Sequence, residues 1–476
     1  MSSRVLRTVA LVGVATLTLL ASTAPVRAGG PSPTRTHPPA GDRPPAGDRP
    51  PAGDRPPAGD RPPAGGHDEQ ITFQEWSRYP DWRAGNHRGT HAVPGHDAGL
   101  TIGRPAGTTE FTDEHTGTTR TWEYATWTSP PTPIGFDATE LVASWNADTP
   151  AGTWLQVELQ GTYSTGENTP WYVMARWASG DGDIARATLD GQGDPWSSVW
   201  TDTFAIDDAD AGVLLRSFQL RLTLYRAPGQ AAAPRVRMLG AMSSHVPDRF
   251  TVTPSRGGIA WGTELPVPAR SQMIHRGSYP EWGGGGQVWC SPTSTTMVLE
   301  YYGRLPSAAD LSWIDPGHPD PQVVQAARMT WDNEYEGAGN WPFNTAYAAS
   351  FPGIEARVTR LHSLDEVERF IRAGIPVVTS QSFLDTELDG SNYGTSGHLF
   401  VIVGFTADGD VIVNDPASAS NAEVRNVYRR DQFEQIWLRT KRHRADGTVA
   451  GGSGGIAYLI KPTDRPWPVV PGSTNW

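Results

Sequence analysis

Cys290 is the only cysteine among 476 residues, and that count narrows what the chain can fold into. No intrachain disulfide can staple it and no thiolate-rich zinc site can be built. Each domain must therefore be held by its own apolar core, for which the length is sufficient: at about 150 residues per domain it allows two or three. The 51 acidic side chains outnumber the 39 basic ones, giving a net charge of -12. A phosphate-binding surface needs the opposite balance, so nucleic acid is excluded as an expected partner. An anionic membrane surface is excluded for the same reason.

The amino terminus carries addresses rather than fold. Arg4 and Arg7 precede an uncharged run from Thr8 to Leu20, followed by small residues and Val26-Arg27-Ala28. Residues 1–28 read as a secretory signal peptide cleaved after Ala28, the run being shorter than the roughly 20 residues of a membrane span. Removal takes away Arg4, Arg7 and Arg27, so the net charge goes from -12 to -15. The expected location is extracellular, with cell-wall association as a further reading, and no membrane span is expected after signal removal. From Pro38 to Arg61 the hexad Pro-Pro-Ala-Gly-Asp-Arg occurs four times. It has no residue able to build a core, so residues 29–66 read as a disordered, semi-rigid spacer.

Residues 67–250 alternate with period two. Leu155, Val157 and Leu159 interleave with Gln156, Glu158 and Gln160, and Phe218, Leu220, Leu222 and Leu224 with Gln219, Arg221 and Thr223. Such stripes predict half-buried strands, and with the recurrent Gly and Pro punctuation they point to an all-β sandwich or jelly roll. Ten of the 19 tryptophans lie here. They suit either a sandwich core, the preferred reading, or a surface that stacks on sugars, which makes a cell-wall or glycan ligand the sharper alternative. His87, His91 and His96 read as a loop and not a metal site, because Gly89, Pro94 and Gly95 break any helix that could align them. Prolines at 247, 254, 266 and 268 mark a boundary, with residues 251–265 as linker and residues 266–476 as a second folded domain.

The second domain holds the chemistry. Pro292 suits the first turn of a helix and Gly303 the position past its end, so a helix is expected to begin just after Cys290 and run to about Tyr302. A thiol there meets the positive end of the helix dipole, which favours the nucleophilic thiolate. Downstream, His398 opens the apolar run Leu399 to Val403, Asp408-Gly409 signals a turn, and Val411 to Val413 leads to Asn414-Asp415-Pro416. Two antiparallel strands would carry an imidazole and a carboxylate, with Asp415 holding His398 in the tautomer useful to Cys290. Ser363-Leu364-Asp365-Glu366 predicts a capping box opening a helix that Gly374 ends, and Ile375 to Thr379 predicts a strand. A cysteine helix followed by a sheet bearing histidine and aspartate is an α+β arrangement. The polar loop from Asp385 to Gly397 is placed to line the cleft. Gly283 to Gly286 lack the Gly-Lys-Ser/Thr sequel of a phosphate loop.

In these motifs the segment from about Pro266 to Pro462 resembles the papain-like cysteine peptidases of family 39, typified by bacteriocin double-glycine leader peptidases, and especially their stand-alone secreted actinobacterial relatives. The likeness rests on Ser271-Gln272-Met273, Trp289-Cys290-Ser291-Pro292-Thr293-Ser294, Gly397-His398-Leu399-Phe400-Val401-Ile402-Val403-Gly404 and Asn414-Asp415-Pro416. It implies a papain-like α+β domain with Cys290 as nucleophile, His398 as general base and Asp415 as orienter. It also implies a glutamine as oxyanion donor, normally about six residues before the cysteine. Here the choices are Gln272, 18 residues ahead, and Gln287, three ahead. Gln272 is preferred, with Met273 to Gly286 as an inserted glycine-rich loop. Ser291 replaces the glycine common in the family, and its side chain is expected to crowd the substrate approach.

The expectation is a secreted cysteine peptidase acting on peptide or protein substrates through an acyl-thioenzyme, with no metal and no organic cofactor. Two alternatives stay open: a cell-wall amidase or transpeptidase/transglutaminase-like acyl transferase on the same fold, and a catalytically silent papain-like domain joined to a glycan- or protein-binding sandwich.

Overall fold

The protein is described by a computed structural model over residues 69–476, Asp97 apart. The signal-peptide and hexad-spacer readings lie outside the described residues. Among these, no helix is long and apolar enough to cross a membrane.

Two seven-stranded antiparallel sheets occupy the first half. The apolar stripes read from sequence are pairing partners: in strands Thr153–Tyr163 and Leu215–Arg226, Leu155 faces Leu224, Val157 faces Leu222 and Leu159 faces Leu220. On the opposite face Arg221 meets Glu158 at 2.8 Å, so one register satisfies both the apolar and the charged stripe. Inner residues of both sheets join one core, including Leu141, Val142 and Trp145 from one and Leu155, Val157 and Leu222 from the other. Seven of the ten tryptophans are buried, Trp76, Trp82, Trp127, Trp145 and Trp177 in this core and Trp122 and Trp154 in a smaller cluster, whereas Trp196 is exposed. His87 and His91 lie in short strands, Asn86–Arg88 and Thr90–Val93, not in the expected loop. Both nitrogens of His87 are engaged, by Thr90 Oγ1 at 2.8 Å and the Trp82 carbonyl at 3.0 Å.

The second half is one antiparallel sheet with helices on it. Its order is Ile354–Arg360, Ile456–Pro462, Val377–Phe383, Thr395–Phe405, Val411–Asn414 and Arg425–Tyr428. The cysteine helix, Cys290–Tyr301, and the helix Trp341–Ala349 pack together over one face. The other face carries Leu364–Arg372 and Arg430–Leu438, whose apolar side chains cluster with Val377, Phe400, Ile402 and Leu459.

The halves are not beads on a string. Ile354–Arg360 is an edge strand, and edges with free backbone groups invite unwanted pairing. Here the side chain of Asn146, from the first half, takes the place of a strand: its amide donates to the Ala356 carbonyl at 2.7 Å and its oxygen accepts from the Ala356 N–H at 2.8 Å. Ser144 Oγ does the same for the Val358 N–H at 3.0 Å. The carboxyl-terminal residues bind both halves, Thr474 through its carbonyl to the Phe73 N–H at 2.6 Å and Asn475 through its amide to the Arg360 carbonyl at 3.0 Å.

The segment at residues 251–265 is likewise fastened along its length. Glu368, fully buried, accepts from the N–H groups of Gly258, Ile259 and Ala260 at 2.9, 2.6 and 3.0 Å and from Arg430 Nη1 at 2.7 Å. Glu368→Ala would leave three amides without their acceptor and take from a largely buried guanidinium one of its two carboxylates, Asp365 remaining at 2.8 Å. The expected cost is about 3–5 kcal/mol, since removing one partner strands the other, measurable as a lowered urea midpoint at unchanged slope. A loss below about 1 kcal/mol, the range of exposed pairs, would contradict this account.

Candidate active site

Cys290 is the first residue of its helix, with Trp289 before it as cap and the Thr293 N–H closing the first turn on the Trp289 carbonyl at 3.0 Å. Trp289 is buried, and its indole is anchored to the Trp282 carbonyl at 2.7 Å. The helix runs to Tyr301, with Gly303 at φ 67° just beyond. Pro292 lies within the first turn, where its missing N–H costs nothing. Cys290 keeps 9% of its surface accessible, so the thiol position is recessed without being sealed.

The histidine strand, Thr395–Phe405, runs under the cysteine helix, and Ser294 Oγ bonds the Leu399 carbonyl at 3.3 Å. It turns through Asp408-Gly409, with Gly409 at φ 91°, into Val411–Asn414. The register pairs Val401 with Asn414, which carries Asp415 back alongside His398. His398 Nε2 meets Asp415 Oδ1 at 2.9 Å. The Cys290 side chain acts on the same imidazole, and with Nε2 committed to the carboxylate, Nδ1 is left for the sulfur. The structure thus brings Cys290, His398 and Asp415 together. Burial opposes charge on His398, but Asp415 and Cys290 outweigh it and hold the imidazolium up to about 10.

Asp415 is almost fully buried, and donors meet both its oxygens. Oδ1 also accepts from the Ala417 N–H at 2.9 Å, while Oδ2 takes the phenols of Tyr393 at 2.9 Å and Tyr428 at 3.0 Å. Burial against this carboxylate raises both phenols, so each stays a protonated donor. Tyr393 comes from the loop before His398, and its ring meets the imidazole edge-on at 5.7 Å. Neither tyrosine is among the residues picked out by sequence. Tyr393 lay in the loop already assigned to the cleft; for Tyr428 no sequence signal existed.

The two candidate glutamines are placed differently. Gln287 is exposed, while Gln272 is 1% exposed and its Oε1 has no hydrogen-bond partner. The Gln272 segment is stitched between the cysteine helix and the aspartate turn: Arg270 binds Glu300 at 2.9 Å, the Gln272 N–H donates to the Pro416 carbonyl at 2.8 Å, and the Ser271 N–H to Asn421 Oδ1 at 2.7 Å. The glycine-rich excursion closes on itself, the Gly277 N–H reaching the Gly284 carbonyl at 2.7 Å. Gly285 has φ 61°, and a Cβ on it would collide with the His275 carbonyl, so these glycines serve close packing. Ser291 departs from expectation. Its side chain is fully buried and turns inward to the Tyr458 hydroxyl at 2.9 Å, so it does not crowd the approach to the sulfur.

Among the described residues no group of three or more His, Cys, Asp or Glu side chains is arranged to hold a metal ion.

The chain matches two family profiles, a peptidase C39 N-terminal domain over residues 72–244 and a peptidase C39-like family over residues 264–445. No curated protein matches it significantly. Among solved structures, a crystallised C39-like protein from Bacillus anthracis aligns over 42% of this chain and 98% of its own at 19% identity, with a TM-score of 0.23 that is too low to support a statement about shape. The two profile matches make residues 264–445 a peptidase C39-like segment, with that family's N-terminal domain ahead of it over residues 72–244.

Proposed function

We propose that this chain is an exported cysteine peptidase that hydrolyses peptide bonds through a Cys290 acyl-thioenzyme, with His398 and Asp415 completing a triad on a papain-like domain. The observation that carries the reading is the His398 ring, engaged by the Cys290 side chain on one side and by Asp415 at 2.9 Å on the other. Export rests on the signal-peptide reading of residues 1–28.

In the reaction the Cys290 thiolate attacks the scissile carbonyl carbon, forming the C–S bond as the carbonyl electrons move to oxygen. Collapse of this tetrahedral species breaks the C–N bond, and the His398 imidazolium gives its proton to the departing nitrogen. The neutral imidazole then takes a proton from water, whose oxygen attacks the thioester. A second collapse expels the Cys290 thiolate, releases the acid and leaves His398 protonated again. Asp415 holds the ring in place through both halves of the cycle. No step requires a metal or an organic cofactor.

The oxyanion is assigned to the Cys290 backbone N–H and the Gln272 amide. Gln272→Ala is expected to lower kcat by about 10²–10³-fold, the effect of removing one such donor, whereas Gln287→Ala leaves it unchanged. The reverse ranking would assign the role to Gln287.

Product analysis on a peptide library tests the function itself. New carboxyl termini formed in water, absent with Cys290→Ala, are expected. Transfer of the acyl group to an added amine in preference to water would instead identify an acyl transferase. The buried tryptophans of the first half support a structural role for that domain over a sugar-stacking one.

A further inference from the structure

One hairpin of the first half reaches the start of a helix in the second. Strands Ser197–Trp200 and Thr203–Ile206 pair from Ser197 with Ile206 to Trp200 with Thr203, which leaves Thr201 and Asp202 as a two-residue tip. Thr201 sits at φ 51°, a left-handed conformation that a β-branched residue adopts only under constraint from its surroundings. Asp202 is 1% exposed. Its Oδ2 accepts from the N–H of Trp341, first residue of the helix Trp341–Ala349, at 2.8 Å, and its Oδ1 from the Thr203 hydroxyl at 3.0 Å. That helix packs on both the cysteine helix and the strand Ile456–Pro462. On this strand Tyr458, fully buried, meets Ser291 Oγ at 2.9 Å. Tyr458 feels the charge of Asp202 and that of Cys290.

We propose that the N-terminal domain contributes a positioning residue to the peptidase centre: Asp202 fixes the Trp341 helix and, through Tyr458 and Ser291, sets the electrostatic environment of the Cys290 sulfur. This rests on the reading of Cys290 as the nucleophile and extends the centre into a domain that would otherwise count as an accessory.

The chemistry of the tip supports a tuning role. Burial drives the Asp202 carboxyl up to about 7, against the stabilising bonds from Trp341 and Thr203, and the negative charge of Asp332 works in the same direction as burial. Asp332 is itself buried and raised, held by Thr188 N and Oγ1 and by Asn340. Tyr458 also feels the charges of Asp202 and Tyr335, and Arg186 that of Asp332. A negative charge therefore appears at the tip as pH rises through neutrality, and it opposes a second negative charge on the sulfur. Its raised value also means that the ionised form costs stability as pH rises from the unfolded carboxyl range through about 7.

Asp202→Asn keeps the shape and the acceptor for the Trp341 N–H but removes the charge. In the full mature chain, alkylation of its single thiol by iodoacetamide can be followed by mass spectrometry from pH 5 to 9. The variant is expected to match the unaltered protein below pH 6 and to react about threefold faster or more at pH 8, the response to a half-unit displaced titration. It should melt no lower at pH 8. In a Tyr458→Phe background, which leaves the hairpin untouched, the Asn substitution should lose most of this effect. Superimposable profiles in an enzyme that cleaves peptides, or a shift unchanged by Tyr458→Phe, would overturn the role of Asp202. Alkylation that follows a free thiol in an inactive parent would overturn the nucleophile assignment instead.

Discussion

Replacing Cys290 by alanine is expected to abolish peptide cleavage, with kcat/KM falling by on the order of 10⁶-fold, the loss seen when a hydrolase nucleophile is removed. The substitution deletes one sulfur atom at the first position of a helix whose hold on the fold lies elsewhere, in Met297, Val298 and Leu299, all buried in the main core. Ser291 keeps its bond to Tyr458 and Thr293 its bond to the Trp289 carbonyl, so the variant should fold and melt like the parent. Cys290→Ser is expected to be nearly as inactive, because an alcohol is far less acidic than a thiol and does not ionise beside an imidazole. The chain has no other cysteine, so a thiol-directed probe reads this one site without background. Stoichiometric labelling of the parent at mildly acidic pH and none of either variant is the expected pattern. A Cys290→Ala protein that retained a tenth of the parental activity would end the proposal.

The order of the site was legible in the chain because it depends on local signals. Pro292 and Gly303 bracket the cysteine helix, and Asp408-Gly409 fixes the hairpin that returns Asp415 to His398. What could not be read is whatever depends on one side chain substituting for another chain's backbone. Asn146 and Ser144 sit on the strand Glu140–Asp148 among Ala143, Trp145 and Ala147, all buried. Periodicity alone marks them only as polar residues in an apolar run, with no hint that they cap a strand edge more than 200 residues away. Asp202 is hidden for the same reason: its partner, the Trp341 N–H, is a generic backbone group. The capping box at Ser363 shows the limit of local rules even where the helix is rightly placed. Ser363 caps nothing with its hydroxyl, the Leu364 N–H goes to Glu434 at 2.8 Å, and Glu366 reaches back to the His362 N–H at 2.8 Å. A tertiary acceptor has displaced the local one.

The second large effect is expected at Asp415. Its buried carboxylate gathers the imidazole, two phenols and one backbone N–H, so removing it does two separate things. Asp415→Ala strands the buried phenol of Tyr428, the half-buried phenol of Tyr393 and the Ala417 N–H besides the histidine, for an expected loss of about 3–5 kcal/mol in stability. It also takes away the strongest influence keeping His398 charged. Burial, which acts against the charge, would then be opposed by Cys290 alone, and the imidazole would fall from about 10. Because the native value is raised above the unfolded one, the imidazolium stabilises the fold fully below the unfolded value of about 6.5 and this contribution is lost as pH rises through about 10. The variant should lack that contribution across the neutral range. Asp415→Asn, which keeps the volume, isolates the chemical part: a carboxamide cannot hold the charged ring, and kcat is expected to fall by about 10⁴-fold, as when the orienting carboxylate of a hydrolase triad is replaced. The alkaline limb of the rate profile, expected near pH 10 in the parent, should move several units toward acid in both variants. Histidine titration by NMR would check the same shift without substrate. A limb that stayed in place would mean that Cys290 alone sets the proton affinity of His398, and that Asp415 serves only to satisfy Tyr393, Tyr428 and the turn at Ala417.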